Sequence, residues 1–201
     1  MAFPRLYAIL DASCFPDTRA LLDFAEALLS SGITLLQYRN KQGSARHVLS
    51  HARDLKLINN DRALLIMNDR ADLCLAAAFN GIHVGQDDLS PEAARRLAQK
   101  PLWMGVSTHS PEQLRTADLS DADYLAIGPV FPTFSKQNPD PVVGLEGVCA
   151  ARALTRKPLV AIGGITRANA RSVFDAGADS VAVISDLLTD PHSAAKEFLA
   201  L

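Results

Sequence analysis

"TRALLDFAEALLSSGITLLQYR", residues 18–39, changes its period halfway along, and that change decides the fold class. In the first half Leu21, Leu22, Ala25, Leu28 and Leu29 recur at helical spacing, and the pattern stops at Gly32. The second half, "TLLQYR" (34–39), is too short for a helix and is apolar over most of its length. Near-continuous hydrophobicity, rather than alternation, marks a strand covered on both faces, as in parallel sheets. A helix feeding such a strand is the building unit of an α/β fold.

The unit repeats along the chain. Strand-like runs read "LYAILD" (6–11), "TLLQYR" (34–39), "LLIMND" (64–69), "GIHVGQ" (81–86), "WMGVST" (103–108), "YLAIGPV" (124–130), "LVAIGG" (159–164) and "SVAVIS" (180–185). Amphipathic stretches such as "TRANARSVFDAGAD" (166–179) lie between them. Eight strands in 201 residues predict a compact (β/α)8 TIM barrel, a single domain over residues 1–201. A doubly wound open sheet, with two edge strands, is the competing topology. No linker, low-complexity segment or second domain interrupts the pattern. The longest irregular stretch, "PTFSKQNPDPVVG" (132–144), reads as a loop after the sixth strand.

A chain of this length buries roughly 70% of its unfolded surface and needs no disulfide or metal staple. Its 48% hydrophobic and 21% charged residues are those of an ordinary globular protein. Twenty basic against 22 acidic side chains give a formal net charge of −2, which offers no bulk field for a nucleic-acid backbone, and no basic run supplies one locally. No apolar run approaches the ~20 residues that cross a bilayer. Cys14, Cys74 and Cys149 are scattered, odd in number and without zinc spacing, and "MAFPRLYAILD" has too short an apolar stretch for a signal peptide. The expectation is a soluble cytoplasmic protein with small-molecule partners, no nucleic acid and no membrane. The outer helices show no apolar patch that decides for a homo-oligomer, so that state stays open.

Nearly every strand starts apolar and ends polar: Asp11, Arg39, Asn68–Asp69, Gln86, Ser107–Thr108, Gly163–Gly164, Ser185. One strand surfacing into water would explain one such end. In a barrel all eight ends share one rim, where chemistry sits, so these groups are expected to converge.

In "QYRNK" (37–41), Gln37, Arg39 and Lys41 share a face if strand alternation persists. Two inward cations would be unpaired buried charges, costing several kcal/mol each, unless a polyanion binds there. Arg offers a fork for phosphate oxygens and Lys a mobile point charge. A solvated strand end is the competing reading. "MNDRADL" (67–73) and "GQDDL" (85–89) place Asp69 and Asp88 at neighbouring strand ends. Two carboxyl groups brought together repel unless one is protonated or a divalent ion lies between them. One or two carboxylates plus substrate phosphates is the usual way Mg2+ is held. Asp88 has a second reading as a helix cap, but Ser90 before Pro91 suits that role better. Asp87 is expected to be exposed or to sit behind the ligating groups. Asn68 points away from Asp69 by strand parity and would reach a ligand through a bend at the strand end.

"GVSTHS" (105–110) has no nucleophile-elbow spacing, so Ser107 is read as a hydrogen-bond donor to a phosphate or a ring nitrogen. His109 is either a ligand contact or a capping side chain, and His83 a satisfied core histidine. In "GPVFPTFSK" (128–136), Thr133, Ser135 and Lys136 suit anion binding or a polar turn, and Gly128 permits close backbone approach. The Gly163–Gly164 amides, with those near Ser185, are expected to form a phosphate cup.

These segments, in this order, resemble the thiamine phosphate synthase (thiamine-phosphate pyrophosphorylase) family over nearly the whole chain. "LYAILD", "GITLLQYRNK", "MNDRADL", "GIHVGQDDL", "GVSTHS", "DYLAIGPVFPTFSK", "VAIGGI" and "GADSVAVIS" carry the resemblance. Each is weak alone; their order and spacing are specific. The resemblance implies condensation of 4-amino-5-hydroxymethyl-2-methylpyrimidine diphosphate with a thiazole phosphate (carboxylated in many bacteria, with loss of CO2). The products would be thiamine phosphate and pyrophosphate, with Mg2+ as cofactor. It implies pyrimidine diphosphate binding by Gln37, Arg39, Lys41, Asn68, Ser107 and Lys136, of which Arg39, Lys41, Ser107 and Lys136 are the catalytic set. It further implies Mg2+ on Asp69 and Asp88, and thiazole phosphate on Thr133, Ser135, Gly164, Ile184 and Ser185. In the family the diphosphate is thought to leave first, which needs charge neutralisation and positioning but no protein nucleophile. Asn40 and Asn80 stand where the family often has an acid, and neither is a site position. The rival readings are a thiazole tautomerase relative, which would not need the diphosphate site, and a non-catalytic phosphate-binding barrel, which would not need both carboxylates and all three cations.

Overall fold

The computed structural model describes residues 3–98, 101–133 and 140–201. Its strands are β1 (Leu6–Asp11), β2 (Leu35–Arg39), β3 (Leu64–Asn68), β4 (Gly81–Val84), β5 (Trp103–Thr108), β6 (Tyr124–Ile127), β7 (Leu159–Ile162) and β8 (Ser180–Val183). The intervening helices are α1 (Thr18–Ser30), α2 (Ala45–Asn59), α3 (Ala71–Ala76), α4 (Pro91–Ala98), α5 (Pro111–Asp118), α6 (Gly144–Leu154), α7 (Ala170–Asp175), α8 (Ser185–Leu188) and α9 (Pro191–Leu199). Neighbouring strands pair in chain order, and β8 pairs back with β1 in parallel. That last pairing closes the barrel and excludes the open sheet.

Every expected run is a strand, and several stop before the polar tail of the run. β4, for example, ends at Val84, so Gly85 and Gln86 already belong to the loop. α1 shows why the helices form where they do. Asp17 caps it by accepting the Ala20 amide at 2.9 Å, and Leu21, Phe24, Ala25, Leu28 and Leu29 make its buried stripe. Leu22, expected on that stripe, lies at its edge, and Phe24 fills the place. The chain leaves the helix through Gly32, whose φ of +91° is a left-handed conformation that glycine adopts without strain.

Strand alternation divides the core into two layers. Tyr7, Ile9, Leu35, Ile66, Tyr124 and Val160 pack inside the barrel. Leu6, Ala8, Leu10, Leu36, Leu65 and Met67 face outward against the helices. Each fully buried Leu or Met contributes roughly 1.5–3 kcal/mol, which explains why the strands read as continuously apolar. The inward parity then carries Gln37 and Arg39 above Leu35, and Asn68 above Ile66. The register sets Ile9 beside Gln37 and Asp11 beside Arg39.

Candidate active site

The C-terminal strand ends enclose an open-mouthed cavity of about 140 Å3. Gln37, Arg39, Asn68 and Ser107 line one side, and Thr133, Gly164, Ile184 and Ser185 the other. Of the groups expected at the rim, Arg39, Asn68, Ser107, Gly163, Gly164 and Ser185 meet at this cavity, Asp11 and Lys41 line an adjoining cleft, and Asp69 and Asp88 are in neither lining. Ser135 and Lys136 lie outside the described residues. Thr108 and Gln86 do not join the cavity wall: Thr108 is buried and donates to the Ala126 carbonyl at 2.8 Å, while Gln86 is exposed and donates to the Ser107 carbonyl at 2.6 Å.

The cations are paired, which corrects the expectation of uncompensated charge. Arg39 forms an ion pair with Asp11, and Asp11 also accepts the Ser13 amide at 3.0 Å and hydroxyl at 2.7 Å. Barrel closure supplies this partner: Asp11 and Arg39 are register neighbours on β1 and β2, and that pairing is not visible in either segment alone. Lys41, in the loop after β2, ion-pairs with Asp69 while its side chain stays 52% exposed. It lines an adjoining cleft that it shares with Arg39.

The carboxylate corner is assembled by a backbone turn. β3 ends at Asn68, which faces the cavity by simple parity. Asp69 is the residue that turns, at φ +61°, a left-handed conformation that Asp tolerates better than most residues. This reverses the expected roles, in which Asn68 was to bend. Asp69 comes within hydrogen-bonding reach of Asp88. Burial above all raises its pKa, with Asp88 adding to the effect and Lys41 opposing it. Asp88 is fixed from its other side by accepting the Gly85 amide at 2.7 Å, while Asp87 is exposed. Ser90 takes the helix-cap role, accepting the Ala93 amide at 3.3 Å.

Among the described residues no group of three or more His, Cys, Asp or Glu side chains is placed to hold a metal ion. The oxygen donors of Asp69 and Asp88 are of the kind that hold a hard cation such as Mg2+, which completes its shell with substrate oxygens and water.

On the opposite wall Gly163 and Gly164 turn at φ +101° and +64°. A Cβ at Gly164 would lie 2.5 Å from the Pro132 carbonyl oxygen, and one at Gly163 would lie 2.5 Å from Pro129 Cβ. The turn is thus pressed against the loop after β6, and Ile184 and Ser185, where α8 opens, complete this wall. Gly128 meets its expectation too, since a Cβ there would lie 2.2 Å from the Ile162 carbonyl oxygen.

His109 lines the cavity, donates from Nδ1 to the Gly128 carbonyl at 2.6 Å and faces Asp140 at 3.5 Å. His83 is the satisfied buried histidine expected, with Nδ1 3.1 Å from the Tyr124 hydroxyl and Nε2 2.8 Å from Ser107 Oγ. Burial lowers its pKa to about 4, with Asp88 opposing. Tyr7 and Tyr124 carry no site signal in the sequence, and Asp11, expected only as one of the polar rim ends, proves to be the partner of Arg39. The two tyrosines sit inside strands that read as apolar, and their shared inward parity with Ile9 and Ala126 was the available signal.

The sequence matches the family model described as Thiamine monophosphate synthase over residues 6–187. It is 62% identical over 204 aligned residues to the thiamine-phosphate synthase of Koribacter versatilis (strain Ellin345), covering 100% of this chain and 97% of the relative. Identity to the thiamine-phosphate synthase of Chloroflexus aurantiacus is 40% over 200 residues, covering 98% of this chain and 92% of that protein. Among solved structures, the thiamine phosphate pyrophosphorylase from Pyrococcus furiosus superposes with a TM-score of 0.85 at 32% identity, covering 96% of this chain and 93% of that one.

Proposed function

Because the chain belongs to the thiamine monophosphate synthase family, we propose that it is a transferase joining a hydroxymethylpyrimidine diphosphate to a thiazole phosphate, with release of pyrophosphate. The observation that carries this reading is the two-ended cavity. One end offers Arg39, with Lys41 in the adjoining cleft and Asp69 paired to Lys41, and the other a glycine turn at positive φ beside Ser185. Two phosphorylated molecules have two separate anchors and one shared space between them.

In this reading Gln37, Asn68 and Ser107 hold the pyrimidine, and Arg39 neutralises the departing diphosphate while Asp11 keeps its guanidinium oriented. Lys41, half exposed on a flexible stem, exchanges Asp69 for a phosphate oxygen at little cost. Lys136 and Ser135 belong to the proposed set by resemblance. Thr133, Gly164, Ile184 and Ser185 hold the thiazole phosphate. Asp69 and Asp88 would hold Mg2+, which when bound supplies Lewis-acid neutralisation of leaving-group charge. The protein's own contribution is positioning and electrostatics, with the two reacting centres held in one cavity. A cytoplasmic location is part of the proposal; among the described residues no helix is long and apolar enough to cross a membrane.

A thiazole tautomerase would need a proton-shuttling base but no diphosphate site, so the presence of Gln37, Arg39, Lys41, Asp69 and Asp88 argues against it. Omission of each substrate separates the two activities. A synthase turns over only when both halves are present, whereas isomerisation of a carboxylated thiazole phosphate supplied alone would favour the tautomerase.

A further inference from the structure

Across the cavity floor, five side chains from five strands form one unbroken line of hydrogen bonds. Gln37 on β2 donates from Nε2 to the Tyr7 hydroxyl on β1 at 2.8 Å. The Tyr7 and Tyr124 hydroxyls, on β1 and β6, are 2.9 Å apart. Tyr124 then meets His83 Nδ1 on β4 at 3.1 Å, and His83 Nε2 meets Ser107 Oγ on β5 at 2.8 Å. Gln37 and Ser107 end the line on the cavity wall, and Tyr124, 0% exposed, joins its halves underneath. The joint is built into space that Gly105 leaves open: a Cβ there would lie 2.1 Å from Tyr124 Cζ and 2.4 Å from His83 Nδ1.

Counting protons gives the line a direction. Burial holds both phenols far above their ordinary pKa, so each hydroxyl keeps its single proton. Gln37 donates to Tyr7, so the Tyr7 proton goes to Tyr124 and the Tyr124 proton to His83 Nδ1. His83 is buried with hydroxyls, not carboxylates, against both nitrogens, and its ring is neutral. With Nδ1 accepting, its proton is on Nε2 and is donated to Ser107. The Ser107 proton and the Gln37 Oε1 lone pairs are left for the cavity. Reversing either end would require every hydroxyl, the ring proton and the Gln37 amide to switch together.

We propose that the Gln37–Tyr7–Tyr124–His83–Ser107 line is a polarity relay that presents an acceptor at Gln37 and a donor at Ser107, with Tyr124 as the positioning residue that ties one to the other. Such a wall selects a heterocycle edge offering a donor and an acceptor in the matching order. Resting on the pyrimidine reading of this site, that edge is an exocyclic amine beside a ring nitrogen. An oxo-pyrimidine, with its carbonyl and N–H, inverts the order and leaves both contacts unsatisfied. The same polarity keeps Ser107 from acting as a nucleophile, because His83 donates to it and cannot take its proton.

Two measurements test the relay. In the wild-type protein labelled with 15N-histidine, NMR should show His83 protonated on Nε2 with Nδ1 as an acceptor; the opposite tautomer overturns the proposal. Calorimetry with the amino-pyrimidine diphosphate and its oxo analogue should show wild-type discrimination that falls by ~10-fold or more in Tyr124→Phe, with thiazole phosphate affinity unchanged. Undiminished discrimination in a folded Tyr124→Phe overturns it equally. If the wild type binds neither pyrimidine, the substrate assignment falls and the tautomer alone decides the relay.

Discussion

The Asp69 carboxyl group lies between the Lys41 ammonium and the Asp88 carboxyl group, within hydrogen-bonding reach of both. Asp88 thus belongs to a two-carboxylate corner, while its neighbour Asp87 faces solvent. Replacing Asp88 by Ala should lower Mg2+-dependent turnover by ~100-fold or more, the scale of losing a group that stabilises transition-state charge. Asp87→Ala should stay within ~2-fold, as for a surface change away from the site. Equal losses in steady-state assays of the two variants would contradict the assignment.

Arg39 and Asp11 form the buried ion pair across β1 and β2. Asp11→Asn keeps the shape and removes the countercharge, so Arg39 is left as a partly buried cation. Urea denaturation should show a loss on the order of 2–3 kcal/mol, at or just below the roughly 3–5 kcal/mol range for breaking fully buried pairs because Arg39 is partly solvated. A loss below ~0.5 kcal/mol would show that water alone satisfies Arg39.

Gly164 combines a left-handed φ of +64° with a Cβ position 2.5 Å from the Pro132 carbonyl oxygen. Ala at this position should destabilise the protein by about 1–3 kcal/mol through backbone strain and displacement of the Pro132 peptide. The KM for the thiazole phosphate should rise more than that for the pyrimidine diphosphate. Calorimetry and substrate-variation kinetics check the two effects separately.

His83 titrates near 4 in the folded protein and near 6.5 when unfolded. Between those values the unfolded chain binds the extra proton, so stability rises with pH through this window and is lost as pH falls from about 6.5 towards about 4. The loss from this group is on the order of 3 kcal/mol at the acid end. Urea midpoints measured across the window should show that slope, and His83→Asn should flatten it. A variant with the wild-type slope would assign the effect to other groups.

The strands were legible because each is buried on both faces, between the barrel interior and the helix layer. Runs such as "LVAIGG" therefore needed no alternation to be found. Closure was supported only by strand number, and the β8–β1 pairing settles it. The rim residues Gln37 and Arg39 followed from two-residue periodicity, since inward parity continues from the interior layer to the cavity; Asn68 obeys the same parity, but the expectation gave the inward place to Asp69, the residue that turns. What stayed hidden were relationships between strands. The Arg39–Asp11 pair depends on register, and the Asp69 turn depends on one φ value. Tyr7 and Tyr124 read as apolar because a tyrosine's single hydroxyl shows its importance only when a second chain segment meets it.

The central claim is tested most directly by incubating the purified protein with the pyrimidine diphosphate, the thiazole phosphate in plain and carboxylated forms, and Mg2+, then quantifying products by chromatography. The account predicts thiamine phosphate and pyrophosphate in equal amounts, dependent on both organic substrates. No thiamine phosphate with either form of the thiazole would contradict it.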